Sequence, residues 1–260
     1  MFFPMFQLKI LNDFDELYEI SDDTENYIIT EIKGLTPSSA TINTSIMSGS
    51  DGERFNASRI EKRNIVITIR LRGDIELNRQ KLYHIFPQKS ELTLFYRNRY
   101  RDVKISGYVE SIEGDIFTDK EKMQISILCP NPFFEDVNEL TAEINQENRS
   151  IIIDNQGEVP IGFSIETLFD NDTRGFTLFC NSQHFGLDYT FLAGDSLKIN
   201  LYSGNLATVV NRGTANLNAI GYITDSSTLP ELHLGENRIL IIASVPEIIT
   251  IKYHYLYRGV

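Results

Sequence analysis

The chain has 260 residues, 42% hydrophobic and 23% charged, which suits two domains of about 130 residues, each able to close its own core. A formal net charge of −12 argues against nucleic-acid binding by the chain as a whole. Only two cysteines are present: Cys129 and Cys180, one in each half, read as buried free thiols and exclude a disulfide framework.

In chain order, the apolar opening MFFPMF lacks a basic flank and carries Pro4, so it is not read as a signal peptide. No apolar run approaches the roughly 20 residues that span a bilayer. Sixteen Phe, twelve Tyr and no Trp accompany many β-branched residues, a mixture that favours strands. Alternation predicts strands at 27–32 and 41–46, and more strongly at 60–71, where Ile65, Ile67, Ile69 and Leu71 share one face. Lys62, Asn64, Val66, Thr68 and Arg70 take the other. Between the second and third strands, residues 47–58 have loop composition and are expected to form a projecting hairpin or flap.

Asp74 predicts the cap of a short helix over 75–86, with Leu77, Leu82, Ile85 and Phe86 as its apolar stripe and Pro87 as its stop. Strands are predicted again at 91–96, 101–113 and 122–129, the first two joined by a turn at Asn98–Arg99. The stretch CPNPFF (129–134) has two prolines in three residues, which read as a stiff, non-pairing exit from the first domain. The expected division is a first domain over 1–136, a linker over 137–149 and a second domain over 150–260. The second half reads as strands at 150–168 (two around a turn), 175–181, 188–202 (with a break), 206–211, 229–243 and 248–257. That spacing fits a sandwich or barrel.

Catalytic groups do not converge in the sequence. His84, His184, His233 and His254 are scattered without metal-ligand spacing. No nucleophile elbow, P-loop or dinucleotide fingerprint is present. The runs SGSDG (48–52) and DNDT (170–173) fall short of a calcium loop. Arg97, Arg99 and Arg101 interleave with Tyr96 and Tyr100 in a pattern known from single-strand binders, here within an acidic chain. No catalytic, cofactor-binding or metal-binding residue is assigned, no cofactor is expected, and the chain is read as a non-enzyme. The charges are uneven: residues 1–31 hold eight acids and one base, and residues 54–104 hold thirteen bases and five acids. An acidic arm and a basic strand region on one chain suit head-to-tail contacts between copies, which can close into a ring.

Several of these features in order resemble the distal tail proteins of long-tailed (siphovirus-type) bacteriophages and prophages. The landmarks are YIITEIKGLTP (27–37), RIEKRNIVITIRL (59–71), RQKLYHIFP (79–87), LFYRNRYRDVKISGYVESIE (94–113), QISILCPNPFFED (124–136), IDNQGEVPIGFSIE (153–166) and LGENRILI (234–241). The resemblance implies a mainly β protein: an N-terminal β-sandwich-like ring domain with one short helix, and a C-terminal galectin-like β-sandwich. It implies a structural virion protein of the tail tip or baseplate, assembled in the host cytoplasm as a homohexameric ring hub. The implied partners are the tail tube protein, the tail-associated hub protein and receptor-binding or other baseplate proteins, with no membrane and no direct nucleic-acid contact. The alternative is a carbohydrate-binding module recognising host cell-wall glycan.

Overall fold

The computed structural model describes residues 6–49, 51–114, 121–242 and 248–260. The opening residues 1–5, Ser50 in the expected flap and Ala243 in an expected strand lie outside them. Two compact units emerge: residues 1–137 with Tyr257–Val260, and residues 138–256. The chain therefore leaves the first unit once and returns to it for its last four residues.

The first unit contains β1 (Gln7–Leu11), β2 (Leu17–Glu19), β3 (Tyr27–Lys33), β4 (Ala40–Ile46), β5 (Glu53–Ile60) and β6 (Arg63–Leu71). After these come α1 (Ile75–Ile85), β7 (Glu91–Arg97), β8 (Asp102–Gly114), β9 (Lys122–Cys129) and β10 (Phe134–Asp136). The main sheet runs β2-β1-β7-β8-β9-β6-β3, with β10 paired to β8. Flat, β1 and β3 would lie about 24 Å apart at the usual strand spacing. Yet Phe6 and Tyr96 line the same small groove as Ile29, Ile32 and Leu35, so the sheet curls upon itself. The sandwich-like character expected of this unit takes that form: one curved sheet closing on its own core.

The alternation in β6 does what the sequence requires of it. Ile65, Ile67, Ile69 and Leu71 are all buried, beside Leu8, Ile10, Leu94, Ile105, Ile125 and Ile127 in one core. Asp74 caps α1, its carboxylate accepting from the Leu77 amide at 3.1 Å. Leu82, Ile85 and Phe86 are buried as expected, but Leu77 is exposed. At 3.6 residues per turn Leu77 lies about 140° from Leu82, whereas Asn78 lies about 40° from it. Asn78 is accordingly the buried residue, its amide donating to Asn26 Oδ1 and the Arg72 carbonyl, each at 2.8 Å.

Two further expectations change here. Residues 53–58, read as loop, are strand: β4 and β5 form a hairpin of their own, paired from Ala40↔Ile60 to Ile46↔Glu53. The exit after CPNPFF is not free of pairing either. Phe134 is buried, and β10 is laddered to β8 through Glu135↔Lys104 and Asp136↔Val103. The prolines stop β9, and pairing resumes two residues after Pro132.

The second unit contains β11 (Leu140–Asn145), β12 (Ser150–Asn155), β13 (Ser164–Leu168), β14 (Thr173–Cys180), β15 (Gln183–Phe191), β16 (Ser196–Asn200), β17 (Ala207–Arg212) and β18 (Ala215–Asn218). Then come a single 3₁₀ turn at Ile220–Tyr222, β19 (Gly235–Ile242) and β20 (Ile248–Tyr253); β21 (Leu256–Tyr257) straddles the return and pairs with β10 in the first unit's sheet. The expected linker over 137–149 thus contains a strand, β11, paired with β20 along its whole length. Two sheets result, ordered β11-β20-β13-β16-β17-β18 and β12-β19-β14-β15. Ile144, Ile165, Leu197, Ile199, Ile249 and Ile251 from the first meet Ile153, Phe176, Leu178, Phe185, Ile239 and Ile241 from the second in one core. That is a β-sandwich. The strands over 150–168 turn out to belong to opposite sheets, so the segment between them is a crossover rather than a hairpin turn. Among the described residues α1 is the one α-helix, and no helix is long and apolar enough to cross a membrane.

Candidate functional site

Two features of the first unit depart from what packing alone would produce. The first is Arg63. Parity along β6 puts it on the same inward face as Ile65 and Ile67, and it is 2% exposed. A buried charge is costly unless it is fully hydrogen-bonded. Arg63 meets that condition entirely with backbone: Nε donates to the Pro132 carbonyl at 2.7 Å, and one terminal nitrogen donates to the carbonyls of Gly34 and of Thr36, the latter at 2.6 Å. The other terminal nitrogen donates to the Arg258 carbonyl at 2.5 Å. The guanidinium carbon also sits 4.5 Å from the centre of the Phe134 ring, a cation–π contact. Burial pushes its pKa down, yet an arginine remains charged there.

The surroundings of this centre explain several sequence landmarks at once. Gly34 has φ of +85°, and a Cβ placed on it would fall 2.2 Å from the Asn64 carbonyl oxygen, so only glycine fits. Cys129 pairs with Arg63 in register, and burial pushes its thiol up to about 11. CPNPFF therefore supplies a carbonyl at Pro132 and a ring at Phe134 to one buried cation.

The second feature is the β4–β5 hairpin. All of β5 and nearly all of β4 are exposed. Ile42, Thr44 and Ile46 share one face with Phe55, which pairs with Thr44. Ile46 is 82%, Ile42 63% and Phe55 60% exposed. The opposite face carries Thr41, Asn43, Ser45, Arg54 and Arg59. An amphipathic strand pair with its apolar side in water is built to be covered.

The residues examined as candidates for chemistry are dispersed. His84 pairs with Glu16 at 2.8 Å and stacks on Phe14, His184 bonds Ser226 at 3.2 Å and stacks on Phe179, and His254 lies 3.7 Å from Glu139. The amide of His233 donates to Asn237 at 2.8 Å. Cys180 is buried, its thiol also pushed up to about 11 by burial. In DNDT, Asp172 accepts from the Ala193 amide at 3.0 Å and the Thr173 hydroxyl donates to the Asn171 carbonyl at 3.1 Å, which is turn chemistry. Among the described residues no group of His, Cys, Asp and Glu is placed to hold a metal ion.

The basic residues are largely engaged within the unit. Arg97 pairs with Asp102 across the turn, whose Asn98 side chain accepts from the amides of Tyr100 and Arg101. Arg99 lies over Tyr100, and Arg101 lies 3.9 Å over Tyr257. Tyr96 stacks on Phe6. These residues thus form no continuous base-stacking row. Part of the acidic stretch is likewise internal, Glu19 pairing with Lys9 at 3.4 Å.

Residues 156–257 match the family of the siphovirus-type tail component, C-terminal domain. By this match the segment resembles a siphovirus tail-component domain. No curated protein sequence matches the chain. Among solved structures, the crystal structure of the Dit protein of phage SPP1, described as a paradigm of the hub adsorption apparatus in phages infecting Gram-positive bacteria, superposes with a TM-score of 0.74 at 14% identity. The match covers 95% of this chain and 99% of that one. The baseplate of phage P2 in its activated conformation with calcium gives a TM-score of 0.53 at 12% identity, over 96% of this chain and 98% of that one. The same baseplate with strontium gives 0.52 at 12% identity. The tail-component match covers most of the second unit, and the shared fold runs through both units, in agreement with the distal-tail resemblance drawn from the sequence.

Proposed function

We propose that this protein is a structural subunit of a siphovirus tail tip or baseplate that assembles as a homohexameric ring hub. In this role it joins the tail tube protein to the tail-associated hub protein, and its second unit holds receptor-binding or other baseplate proteins. The observation that carries the reading is a tail-component domain within a chain whose whole length shares its fold with a phage hub protein. The bare β4–β5 hairpin supports self-assembly. Three exposed apolar side chains, each worth about 1.5–3 kcal/mol when buried, are a sufficient anchor for a neighbouring copy. A heterologous contact of this kind repeats around a ring until it closes. Light scattering on the purified chain at micromolar concentration, alone and with the hub partner, tests this. A mass of six copies of the 29.8 kDa chain is expected, and monomer under both conditions would overturn it.

A glycan-binding role is the second reading. Tyr222 is half exposed and packs edge-on to Tyr189 at 4.9 Å, with Arg212 5.9 Å from the Tyr189 ring. Aromatics beside an arginine are a common sugar platform. Retention of the full chain on host cell walls, lost in Tyr222→Ala, would favour this reading; no retention removes it.

A further inference from the structure

We propose that Arg63 is a clamp coupling the root of the β4–β5 hairpin to both chain passages between the units, so that the three segments open and close together. Its acceptors come from three places in the sequence. Gly34 and Thr36 lead into β4, Pro132 lies on the way out toward Asn138, and Arg258 lies just after the return at Leu256.

One planar guanidinium can satisfy this arrangement because its five N–H donors lie in a fixed fork. An ammonium has three donors and cannot meet four carbonyls spread around that plane. All the acceptors are carbonyls, so the contact cannot be replaced by a single surface ion pair elsewhere. It joins the hairpin root to passages that are already paired with each other, β10 with β21 and the Tyr257 hydroxyl donating to Asp136 at 3.2 Å; the root's other bond to them is the Val260 amide donating to the Leu35 carbonyl at 3.0 Å. A cleft of about 190 Å³, lined by Pro37, Ser38, Ile60, Pro132, Phe133 and Arg258, opens beside the cation. Water can enter there once the clamp is released, which gives the open state a route to solvation.

The mechanical consequence concerns the hairpin. A load on β4–β5 reaches both passages through this side chain, beside the Val260–Leu35 bond and the β10–β21 pairing that joins the passages to each other. This coupling is a property of the isolated chain and does not depend on ring formation.

Native-state hydrogen exchange on the full chain, read by mass spectrometry through a denaturant series, tests it. Peptides covering 34–39, 130–136 and 257–260 are expected to share one opening isotherm in the wild type. In Arg63→Lys all three are expected to exchange about tenfold faster or more, the loss of one charge-assisted hydrogen bond, while peptides of β14 are unchanged. Separate isotherms in the wild type would overturn the proposal, and so would a response confined to one segment in the variant. Should Arg63→Lys fail to fold, the wild-type isotherm of 34–39 against those of the other two segments decides, since β10–β21 pairing already joins 130–136 to 257–260. A Phe134→Leu chain, which loses the ring and keeps the four hydrogen bonds, is expected to retain the common isotherm.

Discussion

Burial removes reactivity from both thiols. A thiol raised to about 11 is almost entirely protonated at neutral pH, and the thiolate is the nucleophile. Neither Cys129 nor Cys180 is therefore expected to react with a disulfide reagent in the folded chain, whereas both should react in denaturant; absorbance titration gives the count. Asp195 shows the opposite effect. It is 1% exposed, receives Arg212 through both of its oxygens and accepts the Leu192 amide at 2.8 Å. The hydrogen bond from Arg212, first among these causes, holds its pKa below the usual carboxylate range. A depressed carboxylate contributes stability above its unfolded pKa of about 3.9 and loses it as the pH falls through the folded value. Asp195→Asn should cost about 1–2 kcal/mol at neutral pH, discounted for the partly exposed arginine. The gap to wild type should narrow in melting experiments as the pH falls below about 3.9 toward the depressed folded value. A gap that stays constant down the whole acid limb would assign the loss to shape instead of charge. Residue-level legibility was uneven. The parity that buried Ile65, Ile67 and Ile69 also extends to Arg63, yet a charged residue does not advertise burial, and its acceptors are backbone carbonyls that no sequence pattern marks. Leu77 fits the apolar pattern but not the helical angle, and the angle buries Asn78 in its place.

At the scale of elements, strands with one wet and one dry face were readable because the chain repeats every second residue. This holds for β3, β6, β7, β8 and β9, and for most of the second unit. β5 was hidden because both of its faces are exposed, so ERFNASRI needs no alternation. β11 was hidden because acids and polar residues occupy its outward positions, Thr141, Glu143 and Asn145, and only Ile144 is fully buried. The hairpin is also where assembly can be separated from folding. Replacing Ile42, Ile46 and Phe55 together by Ser should leave the melting temperature within a few degrees of wild type, since those side chains are exposed. It should abolish self-association in the same light-scattering experiment. A large drop in stability would mean that the hairpin face packs within the chain. Gly34→Ala should behave in reverse, costing about 2–4 kcal/mol through its left-handed backbone and the Asn64 carbonyl. A chain that melts like wild type would show that the loop can relax.

For the whole molecule, composition and strand spacing were enough to anticipate two β-rich units and a division beside residue 136, but not the chain's return to the first. The return of Tyr257–Val260 to the first unit rests on contacts far apart in sequence, among them Val260 to Leu35 and Arg63 to Arg258. The charge imbalance was legible as a number but not in its pairing, since Lys9, Arg63, Arg97 and Arg101 are engaged within the first unit. The apolar face of the hairpin offers a subunit contact beside that charge pattern. Electron microscopy of negatively stained particles tests the central claim most directly. The purified chain, at micromolar concentration or with its hub partner, is predicted to give sixfold rings that disappear in the Ile42, Ile46 and Phe55 triple variant; single particles of monomer size under every condition would contradict it.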